Sequence, residues 1–110
     1  MGWFSDDSPE AQAYNQVVNA RTPEHKAKLS HELLSAAASY EAAKAYENHC
    51  ARNGAPPSHE KAKELLAGFA GAFIDREVES KGLDFIDKEK VKRHSHERNV
   101  GALDASQGQW

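Results

Sequence analysis

The sequence predicts an all-α fold: a small helical bundle built on a long antiparallel helical hairpin. Three observations carry that prediction. Apolar residues recur at the 3–4 spacing of a buried helical stripe, most clearly at Ala62, Leu65, Leu66, Phe69, Phe73 and Ile74. Helix start and stop signals punctuate the chain at regular intervals. No segment alternates apolar and polar residues as a strand would.

The elements follow in order. Residues 1–7 form a short aromatic tail carrying Trp3 and Phe4. Ser8-Pro9-Glu10 is a helix start, with a capping hydroxyl followed by proline at the first helical position. The first helix is predicted over about 9–20, with Ala13, Tyr14, Val17 and Val18 on its apolar side. Thr22-Pro23-Glu24 repeats the signal and opens a second helix over about 23–53. Ser30-His31-Glu32 is a further start, so a kink near Lys28–Ser30 stays open as an alternative to a continuous rod. Gly54-Ala55-Pro56-Pro57 breaks the chain. The third helix, about 59–81, starts at the Ser58 cap and places Glu60 where the helix dipole favours negative charge. It stops at Gly82, which can take the left-handed position, with Leu83 as the apolar contact of a Schellman motif. Asp84 is read as the cap of a weakly amphipathic fourth helix over about 85–98. Residues 8–100 then form one helical domain and 101–110, rich in Ser, Gln and Gly, a flexible C-terminal tail.

Folding the hairpin back about Ala55 places Tyr40 near Gly71 and Ala43 near Gly68. Each mid-helix glycine costs ~1 kcal/mol against alanine. A ring or backbone approaching closely would account for both, so Tyr40, Gly68 and Gly71 are candidate interaction residues.

Composition bounds the function. Seven Leu, five Val, two Ile and four Phe make 18 large core formers in 110 residues, beside 18 Ala. Such a core is thin, which points to helices packed through alanine and to a homo-oligomer or a protein partner. Trp3 and Phe4 are candidates for that contact; the alternative is that they fold back as a hydrophobic staple on the first helix. Net charge is −3, which argues against a nucleic-acid binder. No apolar run is long enough to span a bilayer, and none of signal-peptide length lies near the start. The single Cys50 allows no intramolecular disulfide and fits a reducing, cytoplasmic setting.

No catalytic constellation is recognisable, so the chain is read as not an enzyme. Ser-His-Glu occurs at 30–32, 58–60 and 95–97, but adjacent helical residues diverge by about 100° and cannot form a relay. The first two copies are helix caps. No Glu-x-x-His, His-Glu-x-x-His or paired-cysteine pattern marks a metal site, and no cofactor is implied. His31, His49 and His59 are the histidines that could meet across helices, and they are the candidate metal ligands. The basic run Lys88, Lys90, Lys92, Arg93, Arg98 is nearly cancelled by Asp84, Asp87, Glu89 and Glu97 and reads as a solvated face.

Three blocks carry a family resemblance: MGWFSDDSPEAQAYNQV, LSHELLSAAASYEAAKAYENH and HEKAKELLAGFAGAFIDREVESKGLDFIDKEKVKRH. They resemble the CipC-like fungal proteins, also called antibiotic-response or concanamycin-induced proteins, over residues 1–94. The resemblance implies a small intracellular fungal protein linked to stress or growth state. It implies no mechanism, because the family is a domain of unknown function, and it supplies no catalytic residues.

Two functional readings follow. The first is a non-enzymatic, stress-associated helical protein acting by self-association or protein interaction. The second is a small-molecule or metal-binding bundle using His and Tyr side chains between helices. A pocket lined by His31, Tyr40, Tyr46 or His49 would favour the second; a flat bundle with an exposed apolar patch would favour the first.

Overall fold

A computed structural model describes Phe4 and residues 7–105, and the reading of Trp3 and of residues 106–110 lies outside them. The described residues form five helices and no strand: α1 (Pro9–Asn19), α2 (Pro23–Ala27), α3 (His31–Asn53), α4 (His59–Lys81) and α5 (Lys88–Ala105). The caps read from the sequence are made. Ser8, Thr22, Ser30 and Ser58 each accept a hydrogen bond from a backbone N–H three residues on, at 3.0–3.2 Å. Gly82 is left-handed, with φ 64° and ψ 42°, and the Leu83 N–H donates back to the Val78 carbonyl at 3.0 Å. Leu83 is buried beneath that turn.

Three details differ from the sequence reading. The helix expected over 23–53 is broken where the Ser30 start left a kink open, giving two helices: Lys28 and Leu29 donate to carbonyls of α2, and the Ser30 cap then starts α3 afresh. Asp87, not Asp84, caps α5; its carboxylate accepts from the N–H groups of Glu89 and Lys90. Phe85 and Ile86 belong to the preceding turn, where Ile86 is buried and Phe85 is 56% exposed. Finally, α5 runs on to Ala105, so residues 101–105 are helix rather than tail; buried Leu103 anchors the extra turns.

The centre of the fold is α3. Its segment Leu34–Ser39 is buried at six consecutive positions, which a helix tolerates only when its neighbours cover every side. Alanine and serine keep the rod thin enough for α1, α4 and α5 all to pack on it. The α3–α4 hairpin predicted from the sequence is made, and α1 packs on α3 at least as extensively. Tyr14 of α1 bridges two helices: its ring meets Tyr40 of α3 at 5.2 Å and Phe73 of α4 at 5.9 Å. Tyr46, Phe73, Leu34, Leu66 and Ile74 are the largest side chains sealed inside.

Candidate functional site

The outer face of α4 is the first feature with functional content. Ala67, Gly68 and Ala72 are exposed and Gly71 is half-buried. A Cβ added at Gly68 would meet nothing within 4 Å, and one at Gly71 would meet only Lys92 Cε at 3.8 Å, an ordinary contact. The close approach of Tyr40 at Gly71 and of Ala43 at Gly68 is therefore not made. Tyr40 faces Tyr14, with Lys44 Nζ 5.3 Å from its ring centre, because α4 is rotated so that Leu66, Phe73 and Ile74 point inward. The two glycines turn toward solvent or toward the edge of α5. Phe4, the described residue of the N-terminal aromatic pair, is half-buried.

The histidines do not converge. His31 Nε2 accepts from the Asp87 N–H at 2.9 Å and so ties the start of α3 to the start of α5. His49 lies eighteen positions further along α3, ~27 Å by helix rise. Its ring packs on Phe69 with centroids 6.2 Å apart. His59 pairs with Asp104 at 3.0 Å where α4 begins and α5 ends. Among the described residues no group of three or more His, Cys, Asp or Glu is placed to hold a metal ion. Each of the three candidate ligands instead joins its helix to a neighbour or packs on one.

Two buried polar features went unnoticed in the sequence. Ser39 Oγ donates to the Ser35 carbonyl at 2.9 Å and lies 3.2 Å from both Oγ and the carbonyl of Ser95. One turn beyond Ser95, Asn99 is fully buried, and neither atom of its amide has a hydrogen-bond partner among the described residues. Elsewhere, burial pushes the Tyr46 phenol well above its ordinary value, and the neighbouring Cys50 thiol adds to the shift. Burial likewise raises Tyr14 and Glu47. Asp75 moves the other way: the hydrogen bond from Lys92, at 3.3 Å, holds its carboxyl below the usual range, with the Lys88 charge adding to it.

One open pocket of about 480 Å³ lies where α1 ends, α2 crosses and α3 begins. Its floor is Ala20, Leu29 and Leu33. Its rim carries the amides of Asn15, Gln16 and Asn19 on one side and His25 and Lys28 on the other. None of His31, Tyr40, Tyr46 or His49 lines it. No helix among the described residues is long and apolar enough to cross a membrane.

With this geometry in hand, comparison with known proteins identifies the family. Residues 13–106 match the family described as Virulence factor CipC-like, and the chain belongs to it. No curated protein and no solved structure matches the chain.

Proposed function

We propose that this member of the CipC-like family is a non-enzymatic, stress-associated cytoplasmic protein that acts by self-association, with the outer face of α4 as the contact. The observation that carries this is the pair of mid-helix glycines without an intramolecular reason. Each costs ~1 kcal/mol against alanine, and inside one chain nothing approaches Gly68 closely enough to need the missing side chain. A second helix laid across Ala67, Gly68 and Ala72 would need it, because backbones approach most closely over small residues.

Charge supports a second copy of the same chain, antiparallel, with the two-fold axis at Gly68. Lys61 and Asp75 are each seven residues from Gly68, and Glu60 and Arg76 each eight. The two-fold therefore sets Lys61 against Asp75 of the second copy and Glu60 against Arg76 of the second copy, opposite charges in both cases. Such pairs at the rim select orientation more than they add affinity. Half-buried Leu65 and Phe69 flank the small residues and supply apolar area. The family's description as virulence factors is compatible with an interaction protein and names no chemistry of its own.

Sedimentation at micromolar concentration tests the reading with Gly68→Glu. The added side chain has open space in the monomer, so the fold should melt no lower, and replacing glycine gains about 0.5 kcal/mol of helix propensity. The same substitution puts two carboxylates at the two-fold axis and should leave only the 12.1 kDa monomer. A wild-type chain that is monomeric throughout, or a variant that associates as wild type does, removes this reading.

A further inference from the structure

The pocket between α1, α2 and α3 combines an apolar floor with a polar rim. Its volume, about 480 Å³, lies within the range of small-molecule sites. Asn15 and Asn19 are one turn apart on α1, so both amides project over the same opening, with Gln16 beside them. None of these three side chains makes a hydrogen bond to another described residue, although many polar side chains elsewhere in the fold do. They are exposed, so water satisfies them, and a ligand can replace that water at little loss.

Charge narrows the ligand class. Lys28 overhangs the opening, makes no ion pair with any described residue, and is joined by His25. No acidic side chain lines the pocket, although the chain as a whole is net −3. The floor is apolar, with Leu29 buried and Leu33 and Ala20 beside it. An apolar floor, a ring of primary amides and one unpaired cation complement a molecule with an apolar body, a hydrogen-bonding edge and one negative charge.

We propose that this pocket is a binding site for a small amphipathic monoanion, an organic acid whose apolar body lies on Leu29 and Leu33 and whose carboxylate meets Lys28. The site is separate from the α4 face, because its residues come from α1, α2 and the start of α3. One side of its entrance is formed by His25 of α2 and the following Lys28; α2 is the shortest helix and contributes no buried residue.

The experiment is a titration of the isotopically labelled full chain with 4-phenylbutyrate, followed by backbone and side-chain amide resonances. Its neutral analogue 4-phenylbutanol is titrated in parallel. A probe of this size in an open pocket binds in roughly the millimolar range. The expected result is saturable shifts in the side-chain amides of Asn15 and Asn19 and around Leu29 and Leu33, with the alcohol binding less tightly. Lys28→Glu should weaken phenylbutyrate by about fivefold or more, the upper end for an exposed ion pair. It should leave the alcohol unchanged, which separates lost charge from lost fold. Shifts centred on exposed Phe85, equal affinity for acid and alcohol, or no saturable shift at these residues would each overturn the proposal.

Discussion

α4 and α5 both lie along α3, yet they hold to it by different means. α4 brings Leu66, Phe73 and Ile74 to the shared core, all at most 1% exposed. α5 brings Val91 and Leu103 at the ends of its buried stripe, with Ser95 and Asn99 between them. Its other attachments are polar, partly or fully exposed, and run mostly to α1 and α4. His31 caps its start, Lys88 and Lys92 reach Asp75, Arg98 reaches Glu10 at 2.8 Å, and Asp104 meets His59. Burial of a large apolar side chain contributes about 1.5–3 kcal/mol, whereas an exposed ion pair contributes about 0–1 kcal/mol. α4 is therefore part of the cooperative core, and α5 is a helix fastened along its edge by many small interactions.

The largest expected effect lies on the α4 side. Leu66→Ala should cost about 2–5 kcal/mol, because the cavity is enclosed by α3 and the other core side chains and cannot collapse. Ser95→Ala on the α5 side should cost no more than about 1 kcal/mol, since Ser39 keeps its bond to the Ser35 carbonyl. Urea denaturation of the two variants measures both. Equal losses would break the distinction between the two helices.

A smaller effect belongs to acid. The Asp75 carboxyl is depressed in the folded chain, chiefly by the Lys92 hydrogen bond. A depressed carboxyl contributes stability above its unfolded value, ~3.9, and loses it as pH falls through the lower folded value. With a side chain 43% exposed, its contribution stays within the surface range of about 1 kcal/mol or less. Glu47 has the opposite sign. Burial raises it, so its ionisation opposes folding above the raised value and the penalty is relieved as pH falls. Acid should therefore loosen α5 before α3. Amide hydrogen exchange should show α5 losing protection as pH falls below about 4, the unfolded carboxyl value, and on through the lower folded value. In Asp75→Asn that step should be absent, with α5 already less protected at the higher pH.

The same contrast governs what the sequence made legible. The start and stop of α4 were readable at Ser58, Gly82 and Leu83, because capping is local chemistry and the chain within three residues decides it. The break at Ser30 was readable as a start signal, but not as a stop for α2, because exposed α2 carries no apolar stripe whose end could be seen. The rotation of α4 was misjudged at the glycines. A residue without a side chain carries no polarity, so Gly68 and Gly71 fit an inward or an outward face equally well. The ends of α5, predicted at Phe85 and Arg98 but found at Lys88 and Ala105, are obscured for a related reason. Its buried stripe is Val91, Ser95, Asn99, Leu103 at a spacing of four, and two of those four positions are polar. A hydrophobic pattern search stops at Val91, and Gly101 then looks like an ending. The open pocket was equally hidden. Its amides come from α1 and its leucines from beyond a turn, so only the fold of α2 over α3 brings them together.

The smallest effect is the most informative about α5. Asn99 sits in the middle of its buried stripe at 0% exposure, and both amide atoms lack a partner among the described residues. Burying a polar group without a hydrogen bond costs about 1–3 kcal/mol. Asn99→Ala removes that cost along with the packing of the amide. The two terms oppose one another, so the net change should fall below about 1 kcal/mol in either direction. Asn99→Asp separates this account from simple tolerance of the position. An ionised carboxylate there would be buried without a cation, so the variant should be strongly destabilised at neutral pH and partly recover as acid protonates it. Melting curves of the two variants at pH 7 and pH 4 measure both. If Asn99→Ala instead costs as much as Leu66→Ala, the amide is bonded in solution, by a buried water held between the helices. The seam under α5 would then be as specific as the apolar core under α4, and the two helices would be fastened to α3 with equal strength.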